Sequence, residues 1–354
     1  MWESLCDVLA AMPVAAAIPP AAGLEPGAFG SVANPYLRFV DVGGIRHQSI
    51  TGDILLIVSH KTSDGFDYHM ISPAGATKVR MPGEYAGLVS VHRHDYLEIV
   101  CLLEGSLDFS VEGERAGYQA GDCTVINQNV THRELLGEEY LVLYVSLSLA
   151  YLDGLDLGRG GEGAGSFFAR NLHPGDAVDY IDLRPIKRER AAIALEPTVT
   201  GLVRELCYRR PGFADIVRGL MTRLVHTLQD PALYACRTTR FLQADGADVF
   251  DRTVSYVLAQ RRRLTRAEVG RAISYNANYI NDVFLERTGV TLGSYIGSVC
   301  MQEAAHLLLN SDLSVLQIAE RLGYSSRAGF YGQFKKRFGM SPAAWRARYR
   351  ATSK

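Results

Sequence analysis

The 354-residue sequence predicts an α+β chain: a small double-sheet β-barrel, a helical segment, and an all-α C-terminal domain with two helix-turn-helix units. Three observations predict it. Short apolar runs separated by turn residues crowd the stretch from Ile54 to Leu147, as in a sandwich or barrel. Helical periodicity takes over from Pro197. The C-terminal third breaks into short helices with clear caps. Length suggests two or three domains, and 47% hydrophobic residues suffice for real cores. The net charge of −1 hides an asymmetry. From Phe250 to Lys354 there are 16 Lys and Arg against 7 Asp and Glu, whereas the remainder has 21 against 31. A basic third on an acidic body is the electrostatic footprint of a nucleic-acid-binding domain joined to something else.

Other features exclude classes. The six cysteines (Cys6, Cys101, Cys123, Cys207, Cys236 and Cys300) are scattered, with no CxxC pair. That argues for a reducing compartment and against a zinc finger. Cys101 lies in an apolar strand and reads as core. No run reaches the length of a membrane-spanning helix. The N-terminus has an apolar run but no basic region, and Glu3 and Asp7 are acidic, so a signal peptide is not expected. A cytoplasmic protein without membrane contact is the expectation.

In chain order, residues 1–50 read as an N-terminal arm. Met1 to Ala11 suits a short helix, and Met12 to Gly30, rich in Ala, Pro and Gly, reads as a loop. Residues 51–165 read as the barrel. Strands are expected at Ile54–Ser59, Lys78–Arg80, Gly87–Val91, Leu97–Leu103, Leu107–Val111, Cys123–Ile126 and Leu141–Leu147. Pro82-Gly83, Glu104-Gly105, Glu112-Gly113 and Gly121-Asp122 punctuate them. Inside lie His92, His94 and Glu98, spaced H-x-H-x3-E, and a later His132. On one strand, positions two and four apart share a face, so these groups can converge. Imidazole and carboxylate suit Fe, Mn, Zn, Cu or Ni. The glycine-rich Asp153–Gly165 closes the region.

Residues 166–247 read as a helical region. Leu202, Val203, Leu206 and Cys207 make one stripe; Ile216, Val217, Leu220, Met221, Leu224, Val225 and Leu228 make a stronger one. Pro231–Asp248 reads as a polar, helix-poor join. Residues 248–354 follow as the all-α domain. Helices are expected at Asp251–Arg263, at Arg266–Ile273 behind a Thr265 cap, and at Asn276–Thr288. The last has Ile280, Val283 and Phe284 inward, and Asn276, Asn278, Tyr279, Asn281 and Arg287 outward. Asn suits adenine in the major groove, although Asn276 also suits a cap. Leu292–Asn310 is about 28 Å of helix at 1.5 Å per residue. That holds two readers roughly one DNA turn apart. Ser314 then caps Val315–Leu322, and Gly323 ends it. Arg327–Phe338 carries Phe330, Phe334 and Phe338 on one face. Ser325, Ser326, Arg327, Gln333, Lys335, Lys336 and Arg337 are polar or cationic. Ser341-Pro342 opens a third helix.

The stretch Ile318-Ala319, Gly323-Tyr324, Ser326, Phe330, Phe334-Lys335, Phe338-Gly339, Pro342 and Arg346 resembles the second helix-turn-helix of the AraC/XylS family of bacterial transcription regulators. The preceding pair is similar to the family's first motif, less faithfully. Gly329 stands where the family carries a larger residue. The resemblance implies DNA contacts by Asn276, Asn278, Tyr279, Asn281, Arg287, Ser325, Ser326, Arg327, Gln333, Lys335 and Lys336. His92, His94, Glu98 and His132, with Gly105 and Gly121, resemble the two cupin motifs, except that Asn127 and Asn129 replace the usual proline and glycine. In AraC-type sensory barrels these positions line an effector pocket without a required metal. The reading is therefore a small-molecule effector at His92, His94, Glu98 and His132, with no cofactor. A metal on the same four residues is the other reading.

The expected function is a cytoplasmic, sequence-specific transcription regulator, an activator on family grounds, with promoter DNA, a small-molecule effector, RNA polymerase and a second copy of the chain as partners. The alternative is a metal-dependent cupin enzyme, a dioxygenase or isomerase, carrying a DNA-binding tail.

Overall fold

The computed structural model describes residues 2–12, 36–42, 45–63, 65–81, 91–135, 139–157, 168, 177–242, 247–288 and 290–350. The chain forms two compact units, Met1–Gly27 with Ile50–Leu242, and Ala28–Ser49 with Gln243–Lys354. This division cuts across the four segments read from the sequence. The start of the arm goes with the barrel, the end of the arm goes with the C-terminal domain, and the helical region is part of the barrel unit.

In the first unit, α1 (Glu3–Ala10) buries Leu5, Val8 and Leu9. β1 (Leu37–Val42) and β2 (Ile45–Ile50) come next in sequence. The barrel strands are β3 (Ile54–Thr62), β4 (Gly65–Ser72), β5 (Gly75–Met81), β6 (His92–His94), β7 (Leu97–Val111), β8 (Glu114–Gln119), β9 (Cys123–Ile126), β10 (His132–Leu135) and β11 (Tyr140–Leu147). After α2 (Leu149–Asp153) come β12 (Ala177–Pro185), α3 (Arg188–Tyr208), α4 (Phe213–Gln229) and β13 (Tyr234–Leu242). Neighbours in the barrel run β6-β10-β7-β11-β3-β4-β5, and β9 leads through β12 to β13.

β7 bends this sheet into a barrel. The sequence suggests two strands with a turn at Glu104-Gly105, but the structure has one 15-residue strand. Its first half pairs with β11 and β9, its second half with β8 and β10. Gly105, at φ +79, sits at the change of partners. A Cβ there would lie 2.2 Å from the Glu139 carbonyl oxygen, so only glycine lets the two backbones approach so closely.

The two faces of the sheet differ in chemistry. All of β11 is buried. Leu141, Leu143, Val145 and Leu147 join an apolar core with Ile54, Leu56, Val58, Ile99 and Cys101. Leu5 from α1, Val199 and Leu202 from α3, and Met221 and Leu224 from α4 complete that core. Because side chains alternate along a strand, Tyr140, Tyr144 and Ser146 face the other way, on the concave side.

Three further expectations change. The polar join at 231–248 contains β13, which pairs along its length with β12, another strand the periodicity did not show. α3 begins at Arg188 and carries Pro197 inside it. The stripe from Ile216 is split, with Val217, Met221, Leu224, Val225 and Leu228 buried but Ile216 47% exposed. The expected strand at Gly87–Val91 falls outside the described residues except for Val91, which is not in a strand; residues 158–165 of the glycine-rich stretch also fall outside.

The second unit contains α5 (Ala247–Gln260), α6 (Arg266–Ile273), α7 (Ala277–Thr288), α8 (Leu292–Asn310), α9 (Val315–Arg321), α10 (Arg327–Phe338) and α11 (Pro342–Arg350). Thr265 and Ser314 each complete a capping box, and Gly323 and Gly339 end helices at positive φ. α8 serves two cores. Its first half gives Leu292, Tyr295, Ile296 and Val299 to one, and its second half gives Cys300, Met301, Ala304 and Leu308 to the other. β1 runs beside α8. On β2, His47 meets the rings of Phe250 and Tyr295 edge-on, and Ser49 accepts from Arg261 Nη2 at 3.2 Å.

Candidate functional site

His92, His94, Glu98 and His132 come together, though by a different route from the one the spacing suggests. His92 and His94 lie on β6, and Glu98 lies on β7. β10 pairs with both strands and brings His132 between them. Oε2 of Glu98 is 3.3 Å from Nε2 of His132 and 3.5 Å from Nε2 of His94. The His92 and His132 rings are 4.1 Å apart at their centroids. All four side chains are buried.

The backbone sets the imidazole tautomers. Nδ1 of His94 donates to the Tyr96 carbonyl at 2.8 Å, and Nδ1 of His132 donates to the Val130 carbonyl at 3.0 Å. A carbonyl only accepts, so each Nδ1 carries the hydrogen and each Nε2 faces Glu98. Burial pushes the Glu98 carboxyl up, but the facing imidazoles of His132 and His94 outweigh it and hold the group below the usual carboxylate range. Burial, then His132, lowers His92 to about 4.

One ligand atom each from His92, Glu98 and His132 lies within 4.8 Å of the others, a donor set that fits a divalent ion. Anchoring imidazole Nδ1–H to a carbonyl is how proteins orient metal ligands. Such an ion would supply a Lewis-acidic anchor.

The sequence reading missed the rest of this face. Glu134, two residues beyond His132, is buried on β10, and one of its oxygens has no hydrogen-bond partner among the described residues. Burial raises its pKa, with His92 opposing and Glu98 adding to the rise. Tyr144 hydrogen-bonds Glu134, and Ser146 donates to Glu98 at 3.4 Å. Tyr68 and Tyr140 also feel the Glu134 charge. No motif announces these residues; period-two alternation along β10 and β11 is the signal that could have found them.

In the second unit the candidate DNA-contacting residues separate by environment. Asn276 caps α7, accepting from the backbone N–H of Asn278 at 2.9 Å. Asn281 is half-buried and accepts from the Leu292 backbone at 3.3 Å, which ties α7 to α8. Asn278 and Tyr279 are exposed, and the Arg287 side chain lies outside the described residues. Ser326 caps α10. Ser325, Arg327, Gln333, Lys335 and Lys336 are exposed. Arg327 lies over the Tyr331 ring and donates to its hydroxyl, while Gln333 accepts from Tyr324 at 2.9 Å. Asp282 and Glu286 also stand exposed on α7, and the sequence reading did not select them.

Two family models match, a helix-turn-helix domain over residues 269–348 and a cupin domain over residues 79–145. The chain carries an AraC-type helix-turn-helix domain behind a cupin domain. The AraC-type match runs from within α6 to α11, and the cupin match holds all four residues of the His/Glu cluster. Among relatives, the uncharacterized regulator YobQ of Bacillus subtilis is 23% identical over 74% of this chain and 90% of its own. YtdP of the same organism is 33% identical over 25% of this chain. The melibiose operon regulatory protein of Escherichia coli is 35% identical over 23% of this chain. The chain spans 11% of YtdP and 28% of the melibiose regulator. Solved structures include ToxT from Vibrio cholerae with a bound unsaturated fatty acid, 14% identical over 84% of this chain and 95% of that one, TM-score 0.38. The DNA-bound domain of AdpA is 28% identical over 28% of this chain and 90% of that one, TM-score 0.26. No helix among the described residues is long and apolar enough to cross a membrane.

Proposed function

We propose that this chain is a cytoplasmic transcription activator whose cupin barrel binds a small-molecule effector and whose AraC-type domain binds promoter DNA. The observation that carries the effector reading is the polar inner face of the barrel. Glu98, Glu134, His132, Tyr144 and Ser146 share it, and the opposite face is apolar core. A structural barrel needs no buried carboxyls; polar groups gathered in an apolar shell are what a ligand site requires. The effector must bind the DNA-competent and incompetent arrangements unequally to regulate. Exposed Ile193 and Tyr208 on α3 and Ile216 on α4 support pairing of two copies through these helices. The basic α10 and the relatives' names support a regulator over an enzyme, and RNA polymerase would be the further partner of an activator.

The test is selection of fragmented genomic DNA on the purified chain at about 150 mM salt, with and without cell extract as effector source. Enrichment of a few promoters with a two-part motif, altered by extract, is expected. Absence of enrichment under both conditions, with turnover of a small acid by metal-loaded protein, would favour the cupin-enzyme reading.

A further inference from the structure

The two reader helices are built alike and surfaced differently. α7 and α10 each have 12 residues. Asn276 and Ser326 cap them, Ile280 and Phe330 are buried at the fourth helical position, and Phe284 and Phe334 are buried at the eighth. With the helices matched by position, the outward stripe of α7 is Asn278, Asp282 and Glu286, with Tyr279 beside it. Positions four apart share a helix face. All four are exposed. The matching stripe of α10 is Ala328, Gly332 and Lys336, with Gly329 beside it, also exposed. On this stripe one helix presents an amide, two carboxylates and a phenol; the other presents almost no side chain until Lys336, with Arg327, Gln333 and Lys335 exposed off the stripe.

Resting on the DNA-binding reading above, we propose that base discrimination sits on α7, through Asn278 and Asp282, and that α10 anchors the duplex without selecting bases. Carboxylates repel phosphates, so Asp282 and Glu286 on the outer face of a helix in a basic domain make poor anchors. Among the described residues neither forms an ion pair. In the major groove a carboxylate accepts from the cytosine N4 amino group, and Asn pairs with adenine N6 and N7. The target of α7 is thus a step that exposes amino groups, adenine and cytosine at neighbouring positions. On α10 a Cβ added at Gly332 would meet nothing within 4 Å, so the glycine is not required by packing. A bare helix surface there lets the backbone come close to DNA, while Lys335 and Lys336 reach phosphates.

The test is selection from random duplexes with the full chain, comparing wild type with Asn278→Ala, Asp282→Ala, Lys336→Ala and Gly332→Ala. Asn278→Ala and Asp282→Ala should each relax one position of the selected motif, with about tenfold to a hundredfold loss of preference there. Total affinity of Asp282→Ala for non-cognate DNA should hold or rise, because a repelling charge is gone. Lys336→Ala and Gly332→Ala should weaken binding to all sequences alike and leave the motif unchanged. An unchanged motif in both α7 variants, or a changed motif in either α10 variant, overturns the division. Gly332→Ala cannot fail by overpacking, so its result stands even if an α7 variant misfolds. Failure of wild type to bind any DNA overturns the DNA-binding reading, and the inference with it.

Discussion

Nε2 of His132 lies 3.3 Å from Oε2 of Glu98, while its Nδ1 donates to the Val130 carbonyl at 3.0 Å. The His92 ring lies 4.1 Å from that imidazole between centroids and is buried, with its pKa lowered to about 4 by burial and then by His132. The unfolded chain protonates this histidine near about 6.5. Between the two values the unfolded state binds more protons, so stability rises with pH there and is complete above about 6.5. Glu98 adds to the trend, since its folded carboxyl sits below the ordinary range and its contribution is lost as pH falls below about 4.3. The expected outcome is a thermal midpoint that drops between about pH 6.5 and 4, with roughly 3 kcal/mol at stake at His92. Glu134 acts oppositely, because its raised pKa makes ionisation unfavourable in the fold. Glu134→Gln should therefore raise the midpoint at about pH 7.5 and change little at about pH 4. Melting by circular dichroism reads both, and a flat profile for Glu134→Gln, where the opposing carboxyl is gone, would mean that His92 is not held neutral.

The donor set His92, Glu98 and His132 gives a second expectation. Zinc added to chelator-stripped protein should raise the melting midpoint, because binding to the folded state alone stabilises it. His132→Ala should remove most of that gain while DNA affinity stays unchanged, since His132 lies in the other unit. An equal gain in both proteins would place the ion elsewhere.

The helices of the second unit were legible because each signal is local: Ser314 and Thr265 at caps, Gly323 and Gly339 at ends, and phenylalanines four apart. In the barrel β3, β5, β7, β9 and β11 were legible from apolar runs, whereas β4, β8 and β10 were not. Nor was β13, because among the described residues Tyr234–Leu242 pairs only with β12, and it carries Arg237, Thr238, Thr239 and Arg240. The His/Glu cluster was found by spacing that treats it as one strand, but the geometry comes from β10 joining two. Glu134, Tyr140 and Tyr144 become site residues only through register, which no single segment encodes. Asp282 and Glu286 escaped because acidic residues on a helix usually mean a solvated face.

Gly105 offers a test of the barrel itself. Its φ of +79 disfavours any side chain, and a Cβ would lie 2.2 Å from Glu139 oxygen. Backbone, not a flexible side chain, is the obstacle, so β7 or β11 must shift. Gly105→Ala should cost at least about 3 kcal/mol, combining left-handed strain with the clash. Urea unfolding followed by tyrosine fluorescence measures it, and a loss under about 1 kcal/mol would show that the strand bend relaxes freely.

Arg327 stacks on Tyr331 at 5.0 Å and donates to its hydroxyl at 3.1 Å. A guanidinium held this way at the first position of α10 is oriented at little further entropic cost, and the division proposed above assigns it to phosphate. Arg327→Ala should lower affinity for specific and random duplexes by similar factors and reduce the slope of log affinity against log salt by about 1. Tyr331→Leu, which keeps a side chain but removes the stacking ring and hydroxyl, should reproduce part of the loss with the salt slope unchanged. Titrations at several salt concentrations against both duplexes separate these outcomes. A loss confined to the specific duplex would move Arg327 to a base edge and give α10 a share of the reading.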